Sequence, residues 1–300
     1  MTTALETTPL TCRRSEDGIV SVELSSPERP LVILDRDLLG RLEATMGVIH
    51  ETAASGDLDG FLLRSACSKV FVAGADLREI DALDDEALLD YLAEGSRVLG
   101  MISSLSCPTV ALIDGAALGG GLEIAMHCDA LICTRTSPSG KPYPVGLPEC
   151  SLGLLPGWGG TQMLPARINP TTALGMIIQG KPAMSNDLPA GLVEATVETP
   201  GELEDAASAW VSGHRNSTGK DAHPRCLEGK HPGVIQGAVD RLRSEGMSSP
   251  ESIAVLDAVE TGLQNGWASA IAREQQHLVN LRNTESTRAR LEAFFQKQGS

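Results

Sequence analysis

The sequence predicts an α/β domain over about residues 15–200, followed by an α-helical C-terminal region. Strand-like and helix-like segments alternate in the first part of the chain, whereas the strong patterns beyond a polar, Gly- and Pro-rich stretch at 213–233 are helical. The 300 residues suffice to bury a large core, and 42% hydrophobic content is typical of a globular protein. We therefore expect an α/β core, a loop or linker at 213–233 and helices over 234–300.

Short apolar segments predict the strands of the core. Residues 19–24 alternate apolar and polar side chains, as in a half-buried strand, while 60–64 and 109–113 are continuously apolar, as in buried strands. Residues 70–77 run into a glycine turn at Gly74. Apolar side chains at helical spacing predict helices over 36–50, 85–105 and about 121–131.

The C-terminal region begins with a recognisable helix start. Ser249 followed by Pro250 fits an N-cap and a first helical position. A second long helix is predicted over about 262–282 and a last one over 285–297.

Charge and cysteine usage exclude several classes of protein. A net charge of −15 argues against a surface that holds nucleic acid or an anionic membrane. Seven scattered cysteines without a CxxC pair indicate free thiols in a reducing compartment. Residues 1–9 lack the pattern of a signal peptide, and the apolar runs are shorter than the ~20 residues of a membrane span. We expect a cytoplasmic protein.

Gly119, Gly120 and Gly121 lie between the strand at 109–113 and the following helix. Glycines at such a turn let a ligand approach backbone N–H groups, although a tight turn that needs positive φ explains them equally well. Glu123 then falls in the first helical turn, where it either favours the helix dipole or, among apolar neighbours, acts as an acid with a raised pKa.

Two further segments carry candidate chemistry. Glu149 stands in an apolar, Gly- and Pro-rich stretch, either facing water or partly buried. The turn from Ala73 to Asp76 exposes backbone N–H groups beside small side chains, with Asp76 alternatively serving as a helix cap. If Glu123 and Glu149 converge beside such N–H donors, one site can move a proton and stabilise an anion.

In this order and spacing, the three segments resemble the crotonase (enoyl-CoA hydratase/isomerase) superfamily. The resemblance rests on Ala-Gly-Ala-Asp-Leu at 73–77, on Gly-Ala-Ala-Leu-Gly-Gly-Gly-Leu-Glu-Ile-Ala at 115–125, and on Gly-Leu-Pro-Glu at 146–149 with Leu-Leu-Pro-Gly-x-Gly-Gly-Thr-Gln at 154–162. It implies a crotonase-like fold of ββα repeats with a C-terminal helical trimerisation region. The pattern is most similar to the hydratase part of multifunctional fatty-acid oxidation proteins, and we expect no dehydrogenase part in this chain.

The resemblance also implies roles for individual residues. Ala75 and Gly120 match the backbone N–H groups that hold the thioester oxygen of an acyl-CoA, Glu123 and Glu149 match the two catalytic glutamates, and Gly157 matches the N–H group that helps position the water. The residues implied in coenzyme A binding are Lys69, Ala73, Ala75, Asp76, Leu77, Arg78, Phe294 and Lys297.

The family's isomerases usually keep only the glutamate that corresponds to Glu149, so the presence of both favours an enoyl-CoA hydratase. Such an enzyme uses the coenzyme A thioester as substrate without a cofactor and commonly forms a homotrimer or a dimer of trimers. We expect no metal, because consecutive residues such as His127, Cys128 and Asp129 point in different directions on a helix. The alternatives are an isomerase, hydrolase or decarboxylase of the same family, or a non-catalytic RNA-binding member.

Overall fold

The strands of the computed structural model, which describes residues 3–4, 8–215, 225–227 and 232–298, form a seven-stranded and a four-stranded sheet. The strands are β1 (Thr3–Ala4), β2 (Thr11–Arg14), β3 (Ile19–Leu24), β4 (Gly60–Ser65), β5 (Val70–Val72), β6 (Thr109–Ile113), β7 (Ala116–Leu118), β8 (Ala130–Thr134), β9 (Pro144–Gly146), β10 (Ala183–Met184) and β11 (Ala195–Val197). The helices are α1 (Arg36–Ala54), α2 (Leu77–Ala82), α3 (Asp85–Ser103), α4 (Gly120–Met126), α5 (Gly160–Arg167), α6 (Pro170–Gln179), α7 (Leu203–His214), α8 (Pro232–Ser244), α9 (Pro250–Arg282) and α10 (Glu285–Gln298).

The large sheet has the order β1-β2-β3-β4-β6-β8-β11 and is parallel from β3 onward, while the small sheet has the order β10-β9-β7-β5. Successive units of the chain place one strand in the large sheet, the next strand in the small sheet, and then a helix. The units are β4-β5 with α2 and α3, β6-β7 with α4, and β8-β9 with α5. This arrangement is the ββα repeat that the resemblance implies.

The small sheet brings the candidate segments together. β5 pairs in parallel with β7, with Val72 opposite Ala117, and β7 pairs in parallel with β9, with Leu118 opposite Gly146. The chain leaves all three strands at the same edge of the sheet, because parallel strands end on the same side. The segments that follow them therefore meet there.

Both faces of the large sheet are covered by buried apolar side chains. One face packs against α1, α3 and the small sheet in the main core, which includes Leu38, Leu99 and Phe71. The other face buries a smaller cluster against α7, where Val110 contacts the layer that contains Val211. β3 and β6 confirm the strands predicted at 19–24 and 109–113.

Two predicted boundaries are wrong, and a third is shifted by a few residues. The helix predicted over about 121–131 ends at Met126, since residues 130–134 form β8, which is buried between β6 and β11. The break predicted at about 262 between two helices lies at Gly266, whose φ of 79° separates two helical segments of α9. Of the loop predicted at 213–233, its first two residues end α7 and its last two begin α8, while 216–224 and 228–231 lie outside the described residues.

The last two helices return to the edge where the small sheet ends. The Thr287 hydroxyl of α10 donates to the carbonyl of Gly153 at 3.0 Å, and Gln275 of α9 donates to the carbonyl of Leu92 in α3 at 3.1 Å. None of the described helices is both long and apolar enough to cross a membrane.

Candidate active site

A cavity of about 310 Å³ lies where the segments after β5, β7 and β9 meet α9 and α10. Its lining is mostly apolar and includes two glutamates, Glu123 and Glu149. The other lining residues are Ala73, Gly74, Ala75, Leu77, Ile80, Leu92, Leu118, Gly119, Gly120, Pro148, Ser151, Leu152, Leu154, Leu155, Gly157, Trp158, Leu278 and Phe294. The structure thus places both candidate carboxylates and both candidate oxyanion-hole residues around one cavity.

The amide of Ala75 points away from Leu34, with which Ala75 forms an isolated β-bridge. Leu34 donates to the carbonyl of Gly74 at 2.9 Å and accepts from the amide of Asp76 at 3.3 Å, so the intervening Ala75 amide points to the other side of this bridge. Within residues 8–215, 225–227 and 232–298 it donates no hydrogen bond.

Gly120 supplies the second amide. As the first residue of α4 it has no acceptor within its own helix, and no described residue accepts its hydrogen. A Cβ at this position would lie 3.4 Å from the nitrogen of Ala75 and 2.6 Å from the ring of Trp158. The two amides are therefore close neighbours, and only glycine leaves this space open. Such a pair can hold an oxyanion.

Glu123 is 2% exposed, and its Oε1 accepts from the amides of Trp158 and Gly160 at 2.8 Å each. Burial raises the pKa of Glu123 from 4.5 to about 7, while the amides of Gly160, Trp158 and Gly157 act in the opposite direction. This glutamate is therefore neither a solvated helix-end charge nor an ordinary carboxylate. It changes protonation near neutral pH.

Glu149 begins the 3-10 turn Glu149–Leu152. Its Oε2 is buried and accepts no hydrogen bond from the described residues. Burial, followed by the negative charge of Glu123, raises the pKa of Glu149 well above its usual range. Of the two carboxyls, Glu149 is thus the one that holds its proton more strongly, because Glu123 has backbone donors for its charged form.

The turn at Gly119 fits around Glu149. Gly119 has φ 54° and ψ −127°, and a Cβ there would lie 2.8 Å from Oε1 of Glu149. A side chain would be strained at this φ and would displace the carboxylate.

The residues predicted to bind coenzyme A are only partly at the cavity. Ala73, Ala75, Leu77 and Phe294 line it, and Phe294 comes from α10 of the same chain. The side chain of Asp76 instead caps α2 by accepting from the amides of Arg78 and Glu79. The three predicted cations, Lys69, Arg78 and Lys297, do not line the cavity.

Those cations occupy different surroundings. Arg78 stacks over the ring of Phe295 at 4.9 Å, and Lys69 lines a separate groove formed by residues 25–32 and 66–69. Lys297 is exposed near the end of α10. Arg29 in the same groove as Lys69 is paired with Asp76 at 2.7 Å. Their contacts with a phosphate stay predictions.

Sequence reasoning missed one functional candidate, Glu274 of α9. It is 0% exposed, and its carboxylate accepts from the amides of Gly159 at 2.8 Å and Thr161 at 3.0 Å. The signal was present, because Glu274 falls three residues after Ile271 and four before Leu278, on the apolar face of its helix.

Comparisons with known proteins agree with this fold. Residues 16–220 match the family model described as enoyl-CoA hydratase/isomerase. The chain is 31% identical over 290 residues to the fatty acid oxidation complex subunit alpha of Shewanella halifaxensis, with 94% of this chain and 40% of that protein covered. The chain thus spans about two fifths of the length of this curated relative.

Solved structures show the same architecture. An enoyl-CoA hydratase from Bacillus halodurans superimposes with a TM-score of 0.66 at 20% identity, covering 95% of this chain and all of that one. An enoyl-CoA hydratase from Bacillus anthracis gives 0.57 at 24% identity, covering 99% and 96%. Since the family model matches more than half of the sequence, the chain belongs to the enoyl-CoA hydratase/isomerase family.

Proposed function

We propose that this chain is an enoyl-CoA hydratase, which adds water across the double bond of a trans-2-enoyl-CoA to give a 3-hydroxyacyl-CoA. The observation that carries the proposal is the position of Glu123 and Glu149 on one apolar cavity beside the unpaired amides of Ala75 and Gly120. The reaction needs a base, an acid and an oxyanion hole, and these residues supply one of each.

In the proposed reaction the thioester oxygen accepts hydrogen bonds from the Ala75 and Gly120 amides. As water adds to C3, the electrons of the double bond move toward this oxygen and form an enolate. Donors that are already in place stabilise that charge without reorganisation, and one such donor is typically worth about 2.7–4 kcal/mol. The mostly apolar lining strengthens the interaction, because it lowers the effective dielectric constant around the oxygen.

The environments of the two glutamates support different roles. Ionised Glu123 takes a proton from water as its oxygen bonds to C3, and protonated Glu149 delivers a proton to C2. The enolate collapses to the thioester, and transfer of the proton from Glu123 to Glu149 restores the starting state. Gly157, whose amide faces Glu123, is proposed to help hold the water.

The proposal extends to the rest of the substrate and to the assembly. Ala73, Leu77 and Phe294 would contact coenzyme A, while Lys69, Arg78 and Lys297 would reach its phosphates. The family resemblance supports a homotrimer or a dimer of trimers, which light scattering tests as a mass three or six times the 31.5 kDa of one chain. The seven scattered cysteines, with no CxxC pair among them, support a cytoplasmic location.

Hydration of crotonyl-CoA and of longer 2-enoyl-CoAs by Glu123→Gln and Glu149→Gln tests the two roles. Each variant should lose activity by at least about 100-fold, the range of a lost acid or base. Glu245→Gln is the matched control, because Glu245 is exposed just after the end of α8 and pairs with Arg241. Wild-type rates in either site variant would remove that residue from the mechanism.

Product analysis separates hydration from the other reactions of the family. A hydratase converts 2-enoyl-CoA to the 3-hydroxy product, whereas an isomerase interconverts 3-enoyl- and 2-enoyl-CoA, and a hydrolase or decarboxylase releases free coenzyme A or carbon dioxide. Isomerisation without hydration would contradict the proposal. It would also predict that Glu149→Gln alone abolishes activity.

A further inference from the structure

The loop from Gly157 to Thr161 lies between two buried glutamates and donates to them alternately. The amides of Trp158 and Gly160 donate to Glu123, whereas those of Gly159 and Thr161 donate to Glu274. All four N···O distances fall between 2.8 and 3.0 Å. Because successive amides face opposite sides, fixing one pair fixes the direction of the other.

The hydrogen bonds around Glu274 have a defined direction. The hydroxyl of Thr161 donates to Oε1 of Glu274, and it accepts from the side-chain amide of Gln162 at 2.9 Å. Gln162 also donates to the carbonyl of Ala258 at 3.0 Å, which fixes the orientation of its amide. Glu274 thus receives hydrogen bonds on both oxygens of its carboxyl group.

We propose that Glu274 is a positioning residue, which holds the Gly157–Thr161 loop in the conformation that directs the Trp158 and Gly160 amides to Glu123. The inference rests on the proposed function, since it assigns Glu274 to the support of the proposed base. Three of the five loop residues are glycines, and Gly159 has φ 102°. Such a backbone has little intrinsic preference for one conformation, so its partners must select it.

The charges around Glu274 give the proposal a second consequence. Glu123 and Glu149 face it from α4 and from the 3-10 turn; burial, followed by the charge of Glu123, raises the pKa of Glu274 to about 8. His127 at the end of α4 contacts the same region through the Trp158 carbonyl at 3.4 Å. Arg273 and His277 of α9 pair with Asp257 instead. A group with a pKa of about 8 is mostly protonated where Glu123 titrates near 7, so Glu274→Gln should act on Glu123 through the loop amides rather than through charge.

The test combines kinetics of Glu274→Gln with hydrogen–deuterium exchange of the full chain. We expect kcat for enoyl-CoA hydration to fall about 10- to 100-fold with KM changed less than about threefold, as for a misplaced catalytic group. The acidic limb of the kcat profile should move to higher pH, because the Trp158 and Gly160 amides that the loop would misplace lower the pKa of Glu123. Amides of 157–163 should exchange faster, while those of 73–78 should not change.

Two further variants keep the result interpretable. Glu260→Gln is the matched control on α9, because Glu260 pairs with Arg243 away from the cavity, and it should behave as wild type. Thr161→Val removes one donor at nearly constant volume and should also speed exchange at 157–163, which covers the case in which Glu274→Gln does not fold.

The experiments distinguish failure of the positioning role from failure of the proposed function. If wild type hydrates enoyl-CoA and Glu274→Gln retains its kcat, pH profile and loop exchange, the positioning role is refuted while the proposed function stands. If wild type hydrates no enoyl-CoA, the proposed function fails, but faster loop exchange in Glu274→Gln and Thr161→Val would still support the structural part of the inference.

Discussion

Glu123→Gln should make the folded protein more stable at alkaline pH while abolishing the proposed reaction. Burying the carboxyl raises its pKa from 4.5 to about 7. The folded state therefore binds this proton more tightly than the unfolded state does. Between pH 4.5 and 7 the unfolded chain releases it first, so the free energy of unfolding falls as the pH rises and levels off above pH 7. A glutamine carries no such dependence.

The magnitude follows from the shift. Each pKa unit corresponds to about 1.4 kcal/mol, so the cost of the ionised Glu123 amounts to about 3 kcal/mol at pH 8. At pH 5 most of this cost is absent, and the free energies of unfolding of wild type and Glu123→Gln should differ by less than about 1 kcal/mol. The glutamine oxygen can keep both bonds that Oε1 accepts, from the amides of Trp158 and Gly160. The substitution thus removes the charge with little change in packing.

Urea unfolding of wild type and Glu123→Gln at pH 5 and pH 8 measures this difference. Protein concentration must be equal in all experiments, because any assembly would add its own stabilisation. Glu245→Gln, at an exposed site just after the end of α8, should have the same stability as wild type at both pH values. The reasoning is refuted if the gap between wild type and Glu123→Gln is the same at pH 5 and pH 8.

Other expectations follow from the same contacts. Gly120→Ala puts a Cβ 2.6 Å from the Trp158 ring and should displace the amide proposed for the oxyanion hole. This should lower kcat about 10²- to 10³-fold in a steady-state hydration assay, and an unchanged kcat would contradict the proposed role. Tyr91→Phe removes a buried hydroxyl that donates to the Leu34 carbonyl at 2.5 Å, and urea unfolding should show a loss of about 1 kcal/mol. Leu92→Ala should enlarge the cavity and raise kcat/KM for ten-carbon relative to four-carbon 2-enoyl-CoA, and an unaltered ratio would place the acyl chain elsewhere.

The sequence predicted the elements whose patterns are local. β3 and β6 match their predicted ranges because alternation or continuous burial marks a strand directly. The end of α4 could not be predicted in the same way. The apolar residues 130–133 suit a buried helix as well as a strand, and their parallel pairing with β6 in the large sheet makes 130–134 a strand. Tertiary pairing overrides a helical pattern there.

The residues of the candidate site also differ in whether their role depends on local sequence or on tertiary contacts. Glycines and glutamates at 119–123 and 149 stand out in a sequence, and the ββα repeat explains why distant segments meet. The cap at Asp76 and the stacking of Arg78 on Phe295 needed coordinates, because each depends on which partner a surface side chain finds. Glu274 was hidden because it lies far from the motifs, beyond the interruption of α9 at Gly266.

Backbone amides, rather than cations, keep Glu123 and Glu274 chargeable in an apolar interior. A cation beside Glu123 would lower its pKa and leave it a weak base, whereas a fully dry pocket would keep it protonated. Amide donors give an intermediate pKa, but several of them must lie close together in one loop. The sequence Gly-Trp-Gly-Gly-Thr meets that need: a Cβ at Gly160 would lie 2.7 Å from Pro156 and 2.8 Å from Leu147. The glycines therefore set the protonation of Glu123 as much as the geometry of the loop.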